Sequence, residues 1–338
     1  MREIAAGLGK IQKNAKELAR AQTNFTMIER FSYRGWNNAY KLSNGVVELV
    51  VTADVGPRIL FYGFRTGENL LHEVEQDAGK TGGSEFRLYG GHRLWVSPEV
   101  ERTYYPDNTS VAVSQHGNAI RFTAQPEDLP PGTHLQKELE LELASTGSQV
   151  RITQRVTNHD MRSTRLAPWS PTMMGGGGCA ILPLSPRIAM DKDHYLPVGA
   201  FGIWSYTDFA DPRWVLGTSY IQLRQMANPT GRFKEQMGGI YNSAGWGAYF
   251  RQGYLFVKCA AVISGAQYPD FGCNFEVFTN PDFIELETLG PLAELRPGET
   301  AEHVERWWLF DGVPSGENDA WIDSAVVPLV QQTAASSQ

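Results

Sequence analysis

The chain has 338 residues, 42% hydrophobic and only 20% charged, which provides for a substantial core and excludes a disordered protein. Its net charge of −7, without any basic run, argues against a nucleic-acid or anionic-membrane partner, because phosphate binding draws on clustered Lys and Arg. No stretch approaches the roughly 20 apolar residues of a membrane span.

Residues 3–21 carry Ile4, Leu8, Ile11, Ala15 and Leu18 at helical spacing, a narrow apolar stripe suited to packing on a sheet or on a second subunit. Lys10, Lys13, Lys16 and Arg20 interrupt the segment and leave no apolar signal-peptide core, so a cytoplasmic protein is expected. From Phe31 the period becomes two. Val47, Leu49 and Val51 open a strand that breaks at Gly56-Pro57, and Ile59 to Phe64 form the next. Leu139, Leu141 and Leu143 alternate with Glu138, Glu140 and Glu142, and Val150, Ile152 and Val156 continue the pattern after a Ser145-to-Ser148 turn, as in a hairpin. Further strands are expected over Trp214–Leu223, Tyr254–Ile263, Asn274–Thr279, Phe283–Leu289 and His303–Phe310. A helix around Ala320–Gln331 should break at Pro328, and a disordered tail should start at Thr333.

Many short strands with Gly/Pro-rich connections and no βαβ rhythm imply an all-β sandwich. The organisation expected is a helical extension over 1–30, a β-sandwich over 31–312 and a helical segment over 313–338. Cys179, Cys259 and Cys273 are odd in number and lack metal-ligand spacing, so they read as buried reduced thiols. His72, His116, His159, His194 and His303 share no zinc motif, and neither metal nor cofactor is expected. The Gly175–Gly178 run lacks the Lys of a phosphate loop and reads as a flexible loop.

Two segments concentrate chemistry. In Tyr89-Gly90-Gly91-His92-Arg93-Leu94-Trp95-Val96-Ser97-Pro98-Glu99, two glycines allow a tight turn, and His92, Arg93, Trp95 and Glu99 offer an aromatic face with polar groups, the mixture a sugar site uses. In Phe283-Ile284-Glu285-Leu286-Glu287, the two acids share one face of a strand. Held together in a dry cleft they would titrate as a coupled pair, with one proton kept for acid/base work.

Glu285-Leu286-Glu287-Thr288-Leu289-Gly290-Pro291, Leu295-Arg296-Pro297-Gly298-Glu299, His303 and Arg306-Trp307 together resemble the C-terminal end of the aldose 1-epimerase (galactose mutarotase) superfamily. Gly90-Gly91-His92-Arg93 through Glu99 is similar to its early Gly-Gly segment, Arg58 falls near the start of an early strand, and Leu139–Asn158 resembles its mid-chain hairpin. The resemblance covers roughly residues 31 to 312 and implies a galactose-mutarotase-like sandwich with a sugar cleft. It implies a general base at Glu287, with Glu285 the alternative, acting on the sugar O1 hydroxyl. The superfamily's ring-oxygen acid, a His, has no counterpart: Leu166-Ala167-Pro168-Trp169-Ser170-Pro171 stands there, so His92 or His134 is the replacement to consider. Arg58 and Arg93 become hydroxyl or phosphate clamps, and Trp95 and Trp169 stacking platforms. The expected partner is a small sugar or oligosaccharide, and the expected assembly a monomer or homodimer. A lyase or glycoside-cleaving enzyme, or a non-catalytic sugar-binding module, are the alternatives.

Overall fold

The computed structural model describes residues 26–128 and 134–335. The helix expected over 3–21 lies outside them. Two antiparallel sheets stack face to face over one core. The first runs, edge to edge, through Met27–Tyr33, Trp36–Ser43, Val47–Thr52, Arg58–Phe64, His92–Arg93, Thr164–Met174, Ile284–Leu289, Phe275–Thr279, Gln236–Ile240 and Phe201–Ile203. The second runs through Trp214–Leu216, Tyr220–Arg224, Cys179–Pro183, Trp246–Arg251, Tyr254–Ala260, Thr300–Phe310, Val150–Asn158, Leu135–Leu143, Ala119–Thr123 and Ala112–His116.

Alternation explains the second sheet. Leu139, Leu141 and Leu143 enter the core, while Glu138 and Glu140 on the outer face meet Arg121 and Arg155 from the flanking strands. The hairpin partner holds Val150 opposite Leu143 and Ile152 opposite Leu141, so each buried side chain packs across from another. In the first sheet the central strands are covered on both faces: by the core on one side, and by the loops and rings of a cleft on the other.

Three local expectations change. The run Trp214–Leu223 is two strands, Trp214–Leu216 and Tyr220–Arg224, folded into a hairpin through Gly217-Thr218-Ser219 with Leu216 opposite Ile221. Pro328 does not break the C-terminal helix. A wider π turn over Ile322–Val326 just ahead of it takes up the room its ring needs, and the helix runs on through Val327–Ala335 with Thr333 buried. The Gly175–Gly178 segment is packed, with the Tyr249 hydroxyl bonded to the Gly175 carbonyl. Among the described residues, no helix is long and apolar enough to cross a membrane.

Candidate functional site

Register decides what faces the cleft, because side chains alternate and cross-strand partners share a face. Trp169 pairs with Trp95 on one side and Leu289 on the other, and Glu287 pairs with Pro171 and Glu276. Glu285 pairs with Met173 and Phe278, and Phe278 with Met237. All of these lie on the sheet face turned from the core, into which Ile284 and Leu286 point.

That outer face holds a cavity of about 270 Å³ lined by Arg93, Trp95, Glu99, Trp169, Glu285 and Glu287, with Tyr104, Tyr206, Met237 and Phe278 completing its walls. Its volume is near the lower limit, about 300 Å³, of small-molecule pockets. The two tryptophans meet edge to face with ring centroids 5.1 Å apart.

Arg93 reaches the cleft because of the turn before it. Tyr89, Gly90 and Gly91 adopt φ values of 55°, 94° and 70°. A Cβ on Gly91 would lie 2.0 Å from the Ile59 carbonyl oxygen, and one on Gly90 2.3 Å from that of His72, so only glycine fits. The turn phases the next two residues: His92 enters the core and Arg93 the cleft. Arg93 lies 3.8 Å over the Trp95 ring centroid and donates from Nη2 to Glu285 Oε1 at 3.1 Å.

The two acids therefore differ. Burial raises the pKa of Glu285, and the Arg93 guanidinium pulls against that rise. Glu287 is pushed well above the carboxylate range, first by burial and then by Glu285, although Trp169 Nε1 donates to its Oε2 at 2.5 Å. Glu276, opposite Glu287, is likewise raised by burial and by Glu287, and its Oε1 has no hydrogen-bond partner. Glu99 is exposed at the rim and accepts a bond from the Tyr104 hydroxyl.

Three expected site residues are placed elsewhere. Arg58 is fully buried and donates to the Leu88 and Gly90 carbonyls, at 2.9 and 3.1 Å, and to Asp107 at 2.7 Å; it braces the glycine turn and does not line the cleft. His92 lies between the sheets, 2.9 Å from Thr172 Oγ1 and 3.2 Å from Gln154 Oε1, and burial lowers its pKa to about 3. It is a neutral core group on the wrong face. His134 meets the Glu127 carbonyl at 3.0 Å beyond the cavity's lining. Tyr206 and Met237 were not legible as site residues. Tyr206 sits in an irregular loop, and Met237 on a strand whose Met-Gly-Gly carries no alternation.

Beneath the cleft floor, Lys258 of the second sheet donates to the Ser170 and Leu286 carbonyls at 2.7 and 3.1 Å, and to Glu305 at 2.9 Å. Glu305 also accepts from Trp307 Nε1 at 2.9 Å and from Thr288. Burial pushes the Glu305 carboxyl up, but the Lys258 ammonium, helped by the hydrogen bond from Thr288, pulls harder and holds it below the usual carboxylate range. Among the described residues, no three His, Cys, Asp or Glu side chains are grouped as metal ligands.

The two stacked antiparallel sheets form a galactose-mutarotase-like sandwich, and solved structures share that fold. A candidate aldose 1-epimerase from Klebsiella pneumoniae superposes with a TM-score of 0.55 at 12% identity, over 92% of this chain and 90% of that one. A galactose mutarotase-like protein from Lactobacillus casei gives 0.54 at 12% identity, over 81% of this chain and 100% of its own. A candidate aldose 1-epimerase from Escherichia coli gives 0.50 at 14% identity, over 85% and 99%. No protein-family model and no curated protein sequence matches the chain.

Proposed function

We propose that the protein is an aldose 1-epimerase-like enzyme in which Glu285 and Glu287 together perform the acid/base work. The observation that carries this reading is their placement side by side on the floor of an aromatic-walled cavity with different partners: a guanidinium for Glu285, an indole N–H for Glu287. Glu285 is then the carboxylate that stays ionised and takes the proton from the sugar O1 hydroxyl. Glu287 holds the proton that a His supplies in the resemblance, and gives it to the ring oxygen as the C1–O5 bond breaks. The open-chain aldehyde turns about C1–C2 and recloses by the reverse transfers, so protons and electrons balance with no co-reactant. The rings of Trp95 and Trp169 suit the apolar C–H faces of a pyranose. Compared with the sequence expectation, the pair replaces Glu287 acting with a histidine.

Two-dimensional exchange NMR on an anomeric sugar mixture tests this. Glu285→Gln and Glu287→Gln should each lower the exchange rate by about 10²- to 10⁴-fold while the proteins stay folded. A wild-type rate no faster than uncatalysed exchange, or variant rates equal to wild type, would remove the assignment.

A further inference from the structure

We infer that Tyr206 selects the sugar: its hydroxyl donates to a non-anomeric hydroxyl of the pyranose, so the cleft prefers a hexose to the deoxy sugar that lacks this group. The inference rests on the sugar-cleft reading above. Three polar tips on the cavity wall are already committed to protein partners. Arg93 Nη2 donates to Glu285, the Trp169 indole to Glu287 and the Tyr104 hydroxyl to Glu99. Tyr206 lines the same cavity, yet among the described residues its hydroxyl has one partner, the Met237 sulfur at 3.4 Å. A thioether is a weak acceptor, so the donating capacity of the phenol is largely unused.

The loop that carries Tyr206 is held in place without that hydroxyl. Thr207 Oγ1 donates to the Met237 carbonyl and accepts from the Trp204 N–H at 3.0 Å. Gln236, fully buried, donates from Nε2 to the Tyr206 carbonyl at 3.2 Å, and its Oε1 accepts from the Asp208 N–H at 2.8 Å. These bonds tie the backbone on both sides of Tyr206 to the strand Gln236–Ile240, so the ring is set over the cavity before a ligand arrives. The phenol tip therefore has no part in positioning the loop. Burial pushes its pKa above the ordinary range, so the hydroxyl stays protonated and available to donate. Partly withdrawn from water and facing only a sulfur, it gains a full partner when a sugar oxygen enters. A site that hydrogen-bonds a substrate hydroxyl rejects the analogue lacking it, because the site's own polar group is then left unpaired.

Calorimetric titration of the wild type and Tyr206→Phe tests the inference. D-glucose and D-galactose are titrated first, then the 2-, 3-, 4- and 6-deoxy derivatives of whichever binds tighter, with anomer exchange followed for each sugar that binds. Tyr206→Phe should bind the parent hexose about 2- to 10-fold more weakly than the wild type does. The substitution should leave the affinity for one of the deoxy sugars unchanged, the one without the hydroxyl that Tyr206 meets. The wild type should bind that sugar about 2- to 10-fold more weakly than the parent. Equal hexose affinity in the two proteins, or a loss that persists across every deoxy sugar, overturns the inference, while the exchange rates report separately on the acid pair. Failure of both hexoses to bind the wild type overturns it together with the reading of the cleft.

Discussion

Trp169 shows how a single side chain alters the chemistry available to a site. It stands where the resemblance places an imidazole, and an indole N–H donates a hydrogen bond but does not exchange its proton near neutral pH. What it does here is hold Glu287 at 2.5 Å. A hydrogen bond to a carboxylate favours the ionised form, so the indole lowers a pKa that burial and Glu285 raise. Trp169→Phe keeps a ring against Trp95 but removes that donor, and the Glu287 pKa should rise further. Since Glu287 is the proton donor in the proposed reaction, the alkaline limb of the pH–rate profile should move to higher pH in the variant. A limb that stays in place or moves down contradicts the role given to the indole.

At the scale of strands, Lys258 and Glu305 join the two sheets. Lys258 belongs to Tyr254–Ala260 of the second sheet, and its ammonium bonds carbonyls on the two first-sheet strands that carry Trp169 and the Glu285/Glu287 pair. Lys258→Met would leave Glu305 charged and unpaired in the core, at about 3–5 kcal/mol, whereas Lys258→Met with Glu305→Gln should recover most of that loss. Urea unfolding of both variants checks it, and equal destabilisation by the single and double changes would count against the pairing. The same strands show what the sequence made legible. Leu139, Leu141 and Leu143 could be read because one face meets water. Thr164–Met174 is buried on both faces from Leu166 onward, so it has no alternation and was not recognised as a strand. The Glu285/Glu287 face was readable from spacing. The facing of His92 was not, because it depends on backbone angles at Tyr89, Gly90 and Gly91 that residue types alone do not determine.

Across the whole molecule, the core between the sheets holds two neutral imidazoles. Burial lowers His303 to about 4 and His92 to about 3, from an ordinary value of 6.5. The unfolded chain therefore binds protons below pH 6.5 that the fold refuses, and stability is lost as pH falls toward those values. For His303 the full effect is about 3 kcal/mol. Glu276 and Glu287 act in the opposite sense, since a carboxyl kept protonated by the fold loses stability as pH rises above its unfolded range. The gap in unfolding free energy between wild type and His303→Gln isolates the imidazole. It should shift against the wild type by about 3 kcal/mol between pH 6.5 and acid conditions. A gap that is constant with pH would contradict a neutral His303. The Gly90–Gly91 turn has its own consequence for how such a chain can change. Adjacent residues serve opposite faces there, so inserting one residue after the turn would exchange their destinations, sending a permanent cation into the core and an imidazole to the cleft. The fold can then tolerate new side chains at position 93 far more readily than a change in its spacing from Gly91. Specificity in this cleft is open to point substitution, while the length of the segment that delivers it is fixed.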